Sequence, residues 1–184
     1  MAEARDGSLH RMMQDHFELF GLEPGYALEP ERLERAYREI QARIHPDRFA
    51  NAGDAERRAS MQWTSRVNEA YRILKHPVLR AKYLLELNGV DVALETNTAM
   101  PRGFLMRQME QREALELAAA ERDRGALDRI RAGLRIENRE LQAALAAQID
   151  AQRDWAVAAD LVRKLMFLEK LDAEIDAAFE TMEG

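Results

Sequence analysis

The 184-residue chain contains no cysteine. That excludes a disulfide framework, a thiolate zinc site and a cysteine nucleophile, and it fits a reducing compartment. Glycine (9) and proline (5) are scarce, while alanine, glutamate, leucine and arginine abound. This is the composition of long solvated helices rather than of a sandwich or a Rossmann sheet. No apolar run approaches the ~20 residues needed to span a bilayer, so no membrane segment is expected. A basic surplus is also missing. With 27 lysines and arginines against 33 acids the net charge is −6, which argues against nucleic acid as the main partner. Residues Met1 to Arg11 have neither an apolar signal core nor the acid-poor, arginine-rich character of a transit peptide. They read as a flexible extension, residues 1–11, of a cytoplasmic protein.

What the chain does have is charge and helical periodicity. Charged residues make up 33%, above the usual ~25%. A short helix is predicted from about Met12 to Phe20, with Met13, Phe17 and Phe20 on one face and Gly21 as its stop. After a loop holding Pro24-Gly25, Pro30 suits a first helical position, and Glu29 and Glu31 suit the positive end of the helix dipole. Leu33, Tyr37, Ile40 and Ile44 then draw one apolar stripe. Pro46 lacks an N–H and pushes His45 out of the helical region, so that helix stops there. A second stripe, Trp63, Val67, Ala70, Tyr71 and Leu74, predicts a helix from about Asp54 to Lys75 that ends at His76-Pro77. A shorter helix follows from Val78 to Asn88, stopped by Gly89.

The pattern lapses from Val90 to Ala99, the expected joint between two domains. Beyond it, three amphipathic helices are predicted. The first is opened by Pro101 and runs to about Ala120, with a turn at Arg122 to Gly125. The second carries Leu127, Ile130, Leu134, Leu141, Leu145 and Ile149. The third starts near Asp154 and is seamed by Leu161, Leu165, Leu168, Ile175 and Phe179. Gly133 weakens the second by ~1 kcal/mol relative to alanine and would suit a close helix contact or a bend. Short turns between such helices make an antiparallel bundle. The fold class is therefore all-α: a helical hairpin unit over about 12–90, a connector over 91–99 and a three-helix bundle over 100–184.

Two places carry candidate chemistry. His45-Pro46-Asp47 sits at the hairpin tip, followed by Arg48 and Phe49. Chance alone would place that tripeptide in roughly one chain in a hundred of this length, so its position between two amphipathic helices carries the argument. A histidine and an acid invite a general-base reading, but no Ser-His-Asp or Cys-His set and no phosphate-binding glycine loop accompanies them. His10, His16 and His76 lack metal-ligand spacing. Recognition by a proline-fixed polar turn is the better reading. Along the preceding helix Arg32, Arg35, Arg38 and Arg43 alternate with Glu31, Glu34 and Glu39. Singly they read as a solvated face; together, beside the tip, they read as a docking surface. The other place is the first bundle helix. At roughly 100° per residue, Leu105, Met106 and Met109 share a sector with Glu113, with Glu110 just beyond; Phe104, Leu115 and Ala119 occupy another. One apolar stripe is enough for burial, so the acid-bearing sector is the exposed one. Phe167 falls at the edge of the third helix's seam, where either burial or exposure is compatible with the pattern.

The two hairpin helices with His45-Pro46-Asp47 at their tip resemble a J-domain. Asp15 to Leu22, His76 to Leu85, Phe104 to Glu113 and Val162 to Leu168 extend the likeness over nearly everything after Arg11. Together they resemble the HscB family of J-domain co-chaperones of bacterial iron–sulfur cluster assembly. The resemblance implies an L-shaped two-domain protein that is not an enzyme and holds no cofactor. It would stimulate a dedicated heat-shock-70-class ATPase, HscA, and present the scaffold protein IscU to it. It implies that His45, Pro46 and Asp47, with Arg35, Arg38, Arg43 and Arg48, meet the chaperone. It also implies that Leu105, Met106, Met109, Glu110, Arg112, Glu113 and Phe167 meet the scaffold. Arg48 stands where J-domains more often have lysine, which keeps the charge and changes its geometry. Met109 stands for a more typical leucine, a volume-conserving exchange. The cysteine-bearing zinc extension of eukaryotic relatives is absent, so no metal is expected. A J-domain adaptor for another client, and a purely structural helical protein in which the tripeptide is only a turn, are the alternatives.

Overall fold

The computed structural model describes residues 15–49, 53–92 and 100–183. The predicted extension, Met12 and Met13, and most of the connector lie outside these residues. Every regular element among the described residues is helical. The α-helices are α1 (His16–Leu19), α2 (Pro30–Ile44), α3 (Asp54–Lys75), α4 (Pro77–Leu87), α5 (Arg102–Ala120), α6 (Arg124–Ala146) and α7 (Trp155–Glu183). A 3-10 turn spans Pro46–Phe49 and a π-helical turn spans Ala147–Gln152. The chain divides into two compact units, Met1–Leu84 and Leu85–Gly184, with the division inside α4.

In the first unit local chemistry sets the helix ends. The Asp15 carboxylate caps α1 by accepting from the Glu18 N–H at 2.8 Å. At the other end Leu22 N–H donates to Phe17 O and Gly21 N–H to Glu18 O. That pairing needs a left-handed residue, and Gly21 supplies it at φ +62°. Pro30 and Pro77 open α2 and α4, where a missing N–H costs nothing. The core is Phe17, Phe20, Tyr26, Leu33, Val67, Ala70, Leu74, Val78, Ala81 and Leu84. Ile40, Ile44 and Trp63, which share the predicted stripes, are only half-buried. Tyr37 and Tyr71 stack across α2 and α3 at 4.0 Å. Around them the Tyr37 hydroxyl and the Gln41 amide both donate to Asn68 Oδ1, and the Tyr71 hydroxyl donates to Glu34. The hairpin is thus zipped by polar bonds where its apolar contact thins.

The second unit is a three-helix bundle in which α5, α6 and α7 all touch one another. Its core joins Leu115 and Ala118 of α5, Leu127 and Leu134 of α6, and Leu168, Leu171 and Ile175 of α7. The α5–α6 turn comes earlier than Arg122 to Gly125, because Arg122 itself takes the left-handed position, φ +54°, that glycine would usually fill. Asp123 then caps α6 through the Ala126 N–H at 2.9 Å. At the far end α6 loosens into its π turn and Arg153 reverses the chain at φ +55°. Asp154, the predicted start, is the cap of α7, accepting from Val157 N–H at 3.1 Å. No atom lies within 4 Å of a side chain built on Gly133, so that glycine serves no close helix contact.

Candidate functional site

The tip of the α2–α3 hairpin is held from behind. Ser60 of α3, buried, donates its hydroxyl to the Ile44 carbonyl at 2.7 Å. That satisfies one of the last acceptors of α2, which no helical N–H reaches. The chain then turns through His45 into Pro46–Phe49. Both polar side chains of the tip stand in solvent, 54% exposed for His45 and 90% for Asp47. Asp47 N–H donates to His45 Nδ1 at 3.3 Å, and the same nitrogen lies 3.5 Å from Asp47 Oδ2. These contacts need opposite protonation states of Nδ1. The backbone bond requires its lone pair and belongs to the neutral ring, while the carboxylate contact gains attraction only with the imidazolium. Neither is enclosed, so among the described residues nothing shields or activates a base. The side chains of Pro46 and Arg48 lie outside the described residues.

Arg35, Arg38 and Arg43 are exposed along α2. Arg38 is tied to Glu34, one turn back, at 3.5 Å. Displaced titrations gather instead on the exposed face of α3. A hydrogen bond from Arg72 holds the Glu69 carboxyl below the usual carboxylate range, and Glu69 in turn raises Arg72. A hydrogen bond with Tyr71 raises Lys75. These are surface pairings, a helix-face property rather than a reaction centre. Among the described residues no group of three histidines, cysteines or acids could hold a metal ion. None of the helices is long and apolar enough to cross a membrane.

In the bundle, α5 is apolar on two sides. Phe104, Leu115 and Ala118 turn inward, and Leu105, Met106 and Met109 turn outward, 37%, 52% and 63% exposed. Leu117 extends the outer face at 60%; eleven residues after Met106 returns a helix to nearly the same direction, a signal the sequence reading passed over. Glu110 and Glu113 are exposed beside these side chains. Arg112 and Phe167 are half-buried. The guanidinium of Arg112 lies 5.0 Å over the Phe167 ring and donates from Nη2 to Glu174 Oε1 at 3.0 Å. The Phe167 ring meets Phe104 edge-on at 5.9 Å and 78°. Sequence patterning also missed Gln108, 1% exposed, whose amide makes no hydrogen bond among the described residues. It occupies the core side of α5, where a period-based reading expects an apolar residue.

Comparison with known proteins matches both units. Residues 15–83 match the DnaJ domain, and residues 100–176 match the HSCB C-terminal oligomerisation domain. A co-chaperone protein HscB homolog of Azoarcus sp. (strain BH72) is 49% identical over 173 residues, covering 94% of this chain and 98% of that one. The homolog of Burkholderia thailandensis is 50% identical over 172 residues, with coverage of 94% and 98%. Among solved structures, the chaperone HscB from Vibrio cholerae superposes with a TM-score of 0.81 at 38% identity, covering 92% of this chain and 99% of its own. The human co-chaperone protein HscB gives 0.85 at 25% identity, covering 90% and 82%. A J-domain hairpin whose tip exposes His45 and Asp47, joined to this bundle and to relatives of this closeness, leaves one assignment: the chain belongs to the HscB family of J-domain co-chaperones, which are not enzymes.

Proposed function

We propose that this co-chaperone stimulates the ATPase of a dedicated heat-shock-70-class chaperone of the HscA type. It would deliver an IscU-type scaffold protein to that chaperone in cytoplasmic iron–sulfur cluster assembly. Family membership supports a role beside a heat-shock-70-class partner. One observation carries the two-handed reading: the exposed polar tip lies in the first unit, and the exposed Leu105, Met106 and Met109 lie in the second. The J-domain, about residues 12–90, would dock through His45, Pro46 and Asp47, with Arg35, Arg38, Arg43 and Arg48 facing an acidic surface. The bundle, about 100–184 beyond a connector at 91–99, would take the scaffold. Solvent-exposed apolar anchors with acids beside them suit a protein partner rather than a small molecule.

Leu105, Met109 and Arg112 step by four and three along α5, and Arg112 reaches Phe167. This supports a single surface running from α5 to α7, with Glu110 and Glu113 on its polar side. Neither cofactor, metal nor nucleic acid has a part in the proposal. The test is the steady-state ATPase of the cognate chaperone with this protein, with the scaffold, and with both. Stimulation by each alone and synergy together is the expected result. Stimulation without scaffold binding would point to another client. No stimulation at all would leave a structural helical protein.

A further inference from the structure

Phe167 is held more firmly than the other apolar members of the proposed scaffold surface. Phe104 meets it edge-on and Arg112 covers one face of its ring. The guanidinium is itself steered by a single handle. Its Nε is buried without a hydrogen bond among the described residues, and the bond from Nη2 to Glu174 fixes its direction. Glu174 follows Phe167 by seven residues, two turns along α7 on nearly the same line. Arg112 follows Phe104 by eight on α5, and in an up-down-up bundle α5 and α7 run the same way. The contacts of Phe104 with Phe167 and of Arg112 with Glu174 form one aromatic and one ionic rung between the two helices. The cation, about 80° round α5 from Phe104, leans from its rung onto the Phe167 ring. The ion pair adds little to stability, because its side chains are 35% and 36% exposed. What it does is orient. A planar guanidinium anchored by one edge stacks on an aromatic face, which a lysine ammonium cannot do in the same way.

We propose that Glu174 is a positioning residue of the client surface. Through Arg112 it fixes the orientation in which Phe167 receives an apolar side chain of the scaffold, without itself meeting the scaffold. The inference rests on the reading of this surface as the scaffold-binding one. An aromatic anchor already in its bound orientation loses less freedom on docking, and the gain appears as slower dissociation.

The experiment measures association and dissociation of the apo IscU-type scaffold on the full-length chain. Glu174→Ala should weaken binding about three- to five-fold, the scale of a half-exposed cation–π contact. The change should lie in dissociation and be nearly independent of salt, with an unaltered melt and unaltered scaffold-free ATPase stimulation. Arg112→Lys, which keeps the charge, should show the same loss. In a Phe167→Ala background Glu174→Ala should have no further effect. Wild-type binding by Glu174→Ala would overturn the proposal. So would an undiminished effect without Phe167, or a salt-dependent loss of association rate, since either would mean Glu174 acts on the partner directly. Leu105→Ala with Met109→Ala serves as the control. If that variant also binds normally, the scaffold reading itself has failed; if it loses binding while Glu174→Ala does not, only the positioning role has.

Discussion

On the proposed reading, His45 and Ser60 divide the work at the hairpin tip between contact and support. His45 is exposed and its side chain bonds only within the tip, accepting from the Asp47 N–H and lying 3.5 Å from the Asp47 carboxylate among the described residues, so His45→Gln should remove recognition and little else. We expect ATPase stimulation to vanish while unfolding free energy moves by less than ~0.5 kcal/mol, as for other surface exchanges. A melt beside the ATPase assay decides this, and an unfolded or fully stimulating variant would show that the tip is not the contact. Ser60 is the opposite case. Its hydroxyl serves the Ile44 carbonyl, and Ser60→Ala should cost about 1 kcal/mol because a part-buried acceptor loses its donor. Denaturant titration reads that loss, and some stimulation should go with it as the tip loosens. The exposed position of His45 was legible in the sequence, since the tripeptide stands at a helix break. Ser60 was not, because the carbonyl it serves is 16 residues away and no local pattern records the pairing. Glu174 escaped for the same reason, its partner Arg112 being 62 residues away, and Gln108 because a polar residue on the core side of α5 breaks the apolar period.

Helix ends were legible where proline and glycine mark them and blurred where other residues do the same job. Pro30, Pro46 and Pro77 bound α2 to α4, and Gly21 and Gly89 take positive φ at the predicted stops. The α5–α6 turn was placed late because its left-handed residue is Arg122, while Gly125 lies inside the first turn of α6. The π turn after Ala146 has no marker in composition at all. Gly133 is a glycine with no such job. It sits in the interior of α6 with open space around it, so it brings the entropic cost of glycine without a contact in return. Gly133→Ala should stabilise the bundle by ~0.5–1 kcal/mol, a rise of a few degrees in its melting transition. A fall would mean that α6 needs the flexibility there.

For the whole molecule, if the two proposed surfaces act as read, their placement in separate compact units means that each activity should be removable alone. Replacing Leu105, Met106 and Met109 together by alanine should weaken scaffold binding by ~2–4 kcal/mol, allowing for non-additivity among neighbours. All three are exposed, so the melt should hardly move, and stimulation of the ATPase without scaffold should persist. Phe167→Ala is a different perturbation. Its ring packs against Phe104 and under Arg112, so its loss should cost ~1–3 kcal/mol of bundle stability in addition to affinity. The sequence pattern placed Phe167 on the border between core and surface, and the folded chain uses it as both. Grouping it with the α5 side chains in one multiple variant would mix a binding loss with a folding loss. Measured apart, the α5 variant reports the client surface, and Phe167→Ala reports how far that surface depends on the bundle beneath it. A triple α5 variant that melts early would mean these side chains are core after all. One that is stable and binds the scaffold at full strength would put the client elsewhere on the chain.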